Sequence, residues 1–238
     1  NANLLNTFLV SHFSDGQPFL TMNNKLGSQI LDIKANEANN AEINLKSSSG
    51  NNTLRLSANE TNGGLVNVFN QNGITAAGLT TTSAGNGRLM INSSDNRLLI
   101  DLKANSGGGG FFSLFNDEST ESVRLSTSEN RGGILSIRNR AGNTAVNLST
   151  NGVGDGGLFV SSGSNKPVGE ISTNVNGGGL FSIYNQEPVE VFRITTKENG
   201  QGTMRMNNRL GNRTAELMSN EFSDGEFTLH SVLTNPTV

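Results

Sequence analysis

The 238-residue chain contains no cysteine and no tryptophan, and aromatic residues make up only 5% of it. The absence of cysteine excludes a disulfide scaffold, a thiolate metal site and a cysteine nucleophile. Its two histidines, His12 and His230, lie near opposite ends of the sequence, so no Ser-His-Asp triad or histidine metal site can be assembled from neighbouring motifs. These absences predict a protein that is not an enzyme and uses no metal or cofactor.

The chain also has few charged residues and few hydrophobic ones. Seventeen Lys and Arg face twenty Asp and Glu, which gives a net charge of −3, and no basic tract stands out. A nucleic-acid interface would need such a tract. No apolar run approaches the roughly 20 residues of a membrane-spanning helix. We therefore expect neither nucleic-acid binding nor membrane insertion.

What the sequence has instead is a repeat of 23 residues without an insertion. Stepping by 23 from Met22 meets only apolar residues, and so does the column two residues earlier. A second pair of columns, which includes Val123 and Leu125, lies eleven residues later in each unit. The first column consists of Met22, Leu45, Val68, Ile91, Leu114, Ile137, Val160, Ile183, Met206 and Leu229.

The apolar residues within each unit are spaced by two, which is strand periodicity. Each unit is therefore two short strands, A and B, and Gly, Asn and Asp in the connections mark turns. In residues 110–116, Gly110, Phe112, Leu114 and Asn116 share one face, and the residues between them face the other way. The sequence predicts an all-β repeat protein of ten units, forming a single continuous array over residues 1–238. Residues 1–14 form the first half-unit, and residues 232–238 form an uncapped end.

Two architectures fit the columns. In a β-solenoid, each strand stacks in parallel on its counterpart one repeat earlier. In a β-meander, A pairs antiparallel with its own B, and the apolar face needs partner chains, as in a trimeric β-prism. The solenoid is favoured because Asn side chains at the end of strand A would bond one another at one-strand spacing, whereas in a meander equivalent residues lie about 9.6 Å apart. The predicted ladder residues are Asn70, Asn116, Asn139, Asn185 and Asn208.

A charged column on the other face of strand B also favours the solenoid. Wherever adjacent repeats are both charged, their signs alternate, which would give cross-strand ion pairs at one-repeat spacing. A trimer could pair the same charges between chains. The column consists of Asp32, Arg55, Gly78, Asp101, Arg124, Asn147, Glu170, Arg193 and Glu216.

One local motif suggests a ligand loop. Residues 152–157 match the pattern GxGxxG, but they lie in a turn and are followed by a strand, whereas a dinucleotide site needs a helix there. Asp155, inside this motif, does not recur in other units. Both features are therefore interpreted as a turn, with no cofactor or metal.

The spacing of the repeat resembles that of the curlins, the subunits of bacterial extracellular functional amyloid. The curlin repeat, also about 23 residues of strand, turn and strand, carries polar and apolar residues at the same offsets. Here those offsets hold Gly110, Phe112, Leu114 and Asn116, then Glu121, Val123, Leu125 and Thr127. The resemblance implies a subunit that stacks into an extracellular fibre. In composition, the chain also resembles phage tail-fibre shafts.

The expected function is that of a structural subunit or shaft of an extracellular fibre, assembled from copies of this chain through β-strand contacts. The alternative is a trimeric tail fibre or cell-surface adhesin shaft that binds surface glycans through outward aromatic residues. The candidate binding residues are Phe69, Phe115 and Tyr184. Because the apolar columns continue to both ends, we expect end-to-end polymerisation or a longer array. We further expect Leu125 to be buried and Ser126 to face outward.

Overall fold

The structure is a computed structural model, and it describes residues 8–14, 16–59, 63–105, 107–128, 132–150, 154–220, 222 and 224–231. These residues form strands and turns and contain no helix. The all-β prediction and the regular alternation of strand and turn are confirmed. Residues 1–7 of the predicted first half-unit and the whole of 232–238 lie outside the described residues, and the single continuous array stays a prediction.

The contacts divide the chain into two units, and the first covers Asn1–Ser119. It holds ten strands, of which the even-numbered ones are strand A of the repeat and the odd-numbered ones strand B. They are β1 (Phe8–His12), β2 (Pro18–Asn23), β3 (Gln29–Ala35), β4 (Ala41–Lys46), β5 (Asn52–Asn59), β6 (Gly63–Phe69), β7 (Thr75–Thr81), β8 (Gly87–Asn92), β9 (Leu98–Ala104) and β10 (Gly110–Phe115). Each strand from β1 to β9 pairs antiparallel with the next one.

The second unit covers Thr120–Val238 and is built in the same way. Its strands are β11 (Glu121–Ser128), β12 (Gly132–Arg138), β13 (Thr144–Thr150), β14 (Gly156–Ser161), β15 (Pro167–Thr173), β16 (Gly179–Tyr184), β17 (Glu190–Thr196), β18 (Gly202–Asn207), β19 (Arg213–Ser219) and β20 (Gly225–Leu229). Each strand from β11 to β19 again pairs antiparallel with the next. Each unit is therefore an antiparallel meander.

Short turns with one left-handed residue join the strands. Between β2 and β3, the Gly27 amide donates to the Asn24 carbonyl at 2.9 Å, the Asn24 amide donates to the Ser28 carbonyl at 2.8 Å, and Gly27 has a φ of 81°. This is the three-residue hairpin loop in which a type I turn is followed by a left-handed residue. The turn between β3 and β4 repeats the pattern, with Asn39 at a φ of 62°.

The hairpins from strand A to strand B also carry a bulge. Met22 pairs with Leu31, but Asn23 pairs with Gln29, so Ile30 is an extra residue on β3. The same shift recurs one repeat later, between Leu45 and Lys46. A bulge of this kind bends the strand and increases its twist. The sequence period of 23 thus includes one bulge residue per repeat.

The observed pairing corrects the favoured solenoid on one point. The solenoid required each strand A to lie parallel on the preceding strand A, whereas the described strands pair only with their neighbours in sequence, and antiparallel. The reason lies in the connections: a three-residue turn reverses the chain, and parallel neighbours would need a crossover of a dozen or more residues. The strand pairing is that of the meander alternative.

The apolar columns do share one face of each sheet, as the periodicity predicts. Leu20 pairs with Ile33, and Ile33 pairs with Ile43, so the columns form continuous rows across the strands. However, this face is bare. The nine described residues of the column from Ile33 to Leu217 expose 36% to 54% of their surface, and no described hydrophobic residue is fully buried. Leu125, expected to be buried, is 54% exposed, because a single-layer sheet has no second layer to cover it.

Candidate assembly surface

The apolar face, defined here as the side of each sheet that carries the four apolar columns, contains wide shallow grooves. One groove of about 570 Å³ lies in the first unit, and one of about 550 Å³ lies in the second. Aliphatic side chains line both, together with glycines at the start of strand A. Examples are Ile43, Leu56, Val66, Leu79, Gly64 and Gly87 in the first unit, and Leu125, Leu135, Leu148, Leu158, Gly133 and Gly156 in the second.

Side-chain size falls along the apolar face toward one edge. There the end of strand B meets the start of strand A, and small residues pair with each other, as in Ala58 with Gly64 and Thr81 with Gly87. A Cβ added at Gly64 or Gly87 would meet no atom within 4 Å. The face therefore has large aliphatic side chains at its centre and open space along this edge.

The polar face, on the opposite side of each sheet, contains the buried side chains. Asp32 is only 4% exposed and Asn44 only 2%. The Asn44 Nδ2 donates to Asp32 Oδ1 at 2.7 Å, and the Lys46 ammonium lies 2.9 Å from Asp32 Oδ2. Lys34 adds a second ammonium at 4.0 Å. Long basic side chains thus cover a short carboxylate at the centre of the strands.

The same arrangement recurs farther along the first unit. Asp101, 2% exposed, lies 2.7 Å from Arg88 Nε and 3.0 Å from Lys103 Nζ. The Lys103 ammonium also lies 4.6 Å from the centre of the Phe111 ring, a cation–π contact. Ser113, directly opposite Asp101 on the neighbouring strand, is fully buried.

In the second unit, Glu216 is the buried acid of the polar face, at 3% exposure. It accepts from Arg205 Nε at 2.7 Å, from Arg213 Nη1 at 2.6 Å and from Thr203 Oγ1 at 3.3 Å. Burial alone would raise the pKa of this carboxyl, but the hydrogen bonds and charges of the two arginines hold the pKa below its ordinary value. The pKa of Asp32 is lowered in the same way, against its burial, by Lys46 and Asn44.

Most charged residues of the strand B column pair with charges on their own strand or on an adjacent strand. Arg55, predicted to pair with charges one repeat away, instead lies 3.7 Å from Glu42 on the adjacent strand and donates to Asn44 Oδ1 at 3.2 Å. Sequence reasoning missed that these acids are buried. The signal was available, because Lys34 and Lys46 alternate with Asp32 and Asn44 on adjoining strands.

The predicted ladder asparagines lie in the turns between strand A and strand B. Their side-chain oxygens accept backbone amides of the same turn: Asn185 Oδ1 accepts from Glu187 at 2.9 Å and Val189 at 3.0 Å. Its Nδ2 donates to the Arg209 carbonyl, in the equivalent turn one repeat later, at 3.1 Å. Asn70 and Asn139 also reach the next turn, and Asn116 and Asn208 accept turn amides. These contacts differ from the amide-to-amide ladder expected for a solenoid.

The three candidate binding aromatics all lie on the polar face, but on strands that are not neighbours. Phe69 is half-buried on β6, with its ring centre 5.6 Å from the Arg55 guanidinium carbon. Phe115 is half-buried on β10. Tyr184, on β16, donates its hydroxyl to Glu170 Oε2 at 3.1 Å, and its pKa is raised by burial and by Glu170. The structure does not gather them into one site.

The described residues contain no group of three or more His, Asp or Glu positioned to hold a metal ion. In the motif at 152–157, residues 152 and 153 lie outside the described residues. Asp155 is half-buried just before β14. Within the described ranges, no helix is long and apolar enough to cross a membrane.

Neither a protein-family model nor a curated protein matches this chain. The resemblances to curlins and to tail-fibre shafts stay predictions. Each unit thus has a polar face on which most charges are paired within the chain, and an apolar face that the described residues do not cover.

Proposed function

We propose that the chain is a structural protein, the shaft of an extracellular fibre or virion tail fibre. Three copies of it associate through their apolar faces. Each sheet forms one wall of a triangular β-prism, with its apolar face turned inward and its polar face turned to solvent. The protein carries out no chemistry, and its role is to provide a long, stiff rod.

The observation that carries the proposal is the exposure of the apolar face. Leu79, Leu125 and Leu148 each expose half or more of their surface. Complete burial of such a side chain contributes about 1.5–3 kcal/mol. An isolated sheet gains little of this energy, because a single layer buries no core. Partner chains supply the second layer.

The size of the face suits a stable assembly. Ten strands spaced by about 4.8 Å, with about 17 Å of each strand on the face, give roughly 700 Å² of apolar face for each unit. A stable interface buries about 800 Å² per partner. Two units in one chain therefore offer enough surface for a permanent interface, provided that both are covered.

The decrease in side-chain size toward one edge of the apolar face favours a prism of three chains over a sandwich of two. The walls of a triangular prism approach one another at the corners and diverge toward their centres. The Gly and Ala residues at one edge, such as Gly64 and Ala58, allow neighbouring walls to approach closely. The larger Leu and Ile side chains fill the wider centre. A flat sandwich of two copies would leave the space above the small-residue edge empty, and voids in a core are unfavourable.

Mass measurement in solution tests this proposal. Light scattering on the full chain should give a mass about three times the 25.1 kDa of one chain. This mass should hold at every concentration that is high enough for assembly. A mass of one chain would overturn the proposal, and a mass of two chains would replace the prism by a sandwich. Electron microscopy on the same sample shows whether trimers remain short rods or join end to end into curli-like filaments.

A further inference from the structure

A groove of about 530 Å³ lies on the polar face of the second unit, across β13, β14 and β15. Its volume falls in the range of small-molecule sites, about 300–1,000 Å³. The lining combines an aromatic ring with carboxylate, amide and hydroxyl groups and contains no Lys or Arg. The residues used in the argument are Asn147, Asp155, Gly157, Phe159, Glu170 and Ser172.

The groove exists because this repeat has a large residue where its neighbours have a small one, and a small residue where other repeats have a large one. At the position of Phe159 the neighbouring repeats have serine, Ser136 and Ser182. At the position of Gly157, other repeats have bulky residues such as Phe111. The Phe159 ring lies over Gly157, since a Cβ built there would be 2.7 Å from Phe159 Cε2. The ring therefore leans along the strand and fills the space over Gly157, where other repeats place a bulky side chain.

Glu170 contributes an uncompensated negative charge. Its carboxylate accepts from Ser172 Oγ at 2.5 Å and from Tyr184 Oη at 3.1 Å, and both donors are neutral. No Lys or Arg among the described residues lies within ion-pair distance of it. The buried acids Asp101 and Glu216 each have two basic partners. Glu170 thus differs from Asp101 and Glu216, which are paired with basic side chains.

A second acceptor in the groove lacks a hydrogen bond. The Oδ1 atom of Asn147 is buried and has no hydrogen-bond partner among the described residues. Asn147 and Glu170 lie on the two strands that flank β14, each directly opposite Phe159.

We propose that this groove binds an amino sugar, a hexosamine unit of a polysaccharide with a free ammonium group. The apolar C–H face of the sugar stacks on Phe159. Its ammonium pairs with Glu170. Glu170 is a negatively charged acceptor beside the ring, which favours a ligand that donates hydrogen bonds and is positively charged. The missing basic residues exclude an acidic sugar, whose carboxylate would face Glu170 and Asp155.

The site is independent of the proposed assembly. It lies on the polar face, which the packing of apolar faces leaves exposed to solvent. Binding can therefore be measured whether the chain is a trimer or not. Its failure would leave the shaft proposal intact, and a monomeric mass would leave this site intact.

The test is a calorimetric titration of the full chain with a glucosamine trisaccharide, and with the N-acetylated trisaccharide, which has the same ring but no charge. We expect saturable binding of the first and at least tenfold weaker binding of the second. Glu170→Gln keeps the shape and removes the charge, and it should weaken glucosamine binding at least tenfold. Glu187→Gln, an exposed turn residue of the same unit, is the matched control and should bind like the wild type.

Gly157→Ala provides a second variant, because the added methyl group displaces the Phe159 ring and should abolish binding. Circular dichroism and mass check that the variants fold as the wild type does. If a variant does not fold, the comparison of the two trisaccharides on the wild-type chain still tests whether the groove prefers a charged amino sugar. The proposal is overturned by equal binding of both sugars, by wild-type affinity in a folded Glu170→Gln variant, or by no binding at all.

Discussion

Two kinds of polar residue, the turn asparagines and the buried acids, connect separate segments of this chain. The turn asparagines, of which Asn185 is an example, accept two backbone amides within their own turn and donate to the next turn. Buried acids such as Glu216 gather arginines from neighbouring positions. In both cases one side chain links several segments of backbone, in a sheet that has no hydrophobic core of its own.

The lowered pKa of Glu216 predicts a pH dependence of stability. Because the folded-state pKa lies below the ordinary value of 4.5, the unfolded chain binds more protons in that range. The contribution of Glu216 is therefore fully present above pH 4.5 and is lost as the pH falls through the folded pKa. Glu216→Gln should lower the free energy of unfolding by roughly 1–3 kcal/mol at pH 7, and this difference should shrink below pH 4.

Urea unfolding at pH 7 and pH 3 measures both effects. The matched control is Glu187→Gln, which changes an exposed turn residue and should leave the unfolding midpoint near that of the wild type at both pH values. A difference between wild type and Glu216→Gln that does not change with pH would show that the carboxylate charge is not what stabilises the sheet.

At the scale of the element, the hairpin with a three-residue loop is the building unit. Its left-handed residue recurs at a fixed place, as Gly73 with a φ of 77° and Asn96 with a φ of 66° one repeat later. These are the residue types that tolerate such a backbone. Gly or Asn occupies this position in most repeats, as the positive φ of the turn favours, whereas Ser119 and Pro188 occupy it in two others.

Substitution at Gly73 tests the turn directly. A Cβ at Gly73 meets no atom within 4 Å, so Gly73→Ala should act only through its positive φ and cost about 1–2 kcal/mol. Gly73→Asn should cost less, since Asn96 already has this conformation. Gly163→Ala is the control. Gly163 lies in the same type of turn but is not among the residues with positive φ, and its added Cβ would come no closer than 3.8 Å to a neighbour. Thermal unfolding compares the three, and equal losses would contradict the turn assignment.

The elements were predictable from sequence, but their pairing was not. Phe112 and Leu114 lie on one face and Ser113 on the other, as a period of two requires. The apolar columns are the same in a solenoid and a meander, so they could not decide between parallel and antiparallel strands. The useful signal was the Asn24-to-Gly27 spacing, typical of a hairpin loop. The groove at Phe159 escaped notice because periodicity emphasises shared positions, and this repeat differs from the others.

For the whole molecule, what matters is that its two faces are unlike. The polar face buries Asp32, Asp101 and Ser113, while the apolar face leaves Leu125 more than half exposed. An isolated chain would present the apolar face of each unit to water, and such patches mark interaction surfaces. The cost of a charge on the apolar face should therefore appear in assembly rather than in folding of one chain.

Leu125→Asp tests this expectation. A carboxylate in the packed interior of a trimer would be buried without a partner, so we expect the mass to fall to that of a single chain. Ser126→Asp, one residue on and on the polar face, should retain the mass of the wild type. Light scattering on both variants makes the comparison. Equal masses for the two variants would show that the faces play no different part in assembly.

The bulged hairpin also sets a unit of length. Each repeat of 23 residues adds two strands, or about 9.6 Å, to a meander, so gain or loss of whole repeats would change a shaft in steps of that size. A deletion of one residue inside a strand would turn the following side chains onto the opposite face. The gene for such a protein can therefore gain or lose whole repeats and still encode a regular sheet. A mutation that changes the length of one repeat would disrupt the sheet.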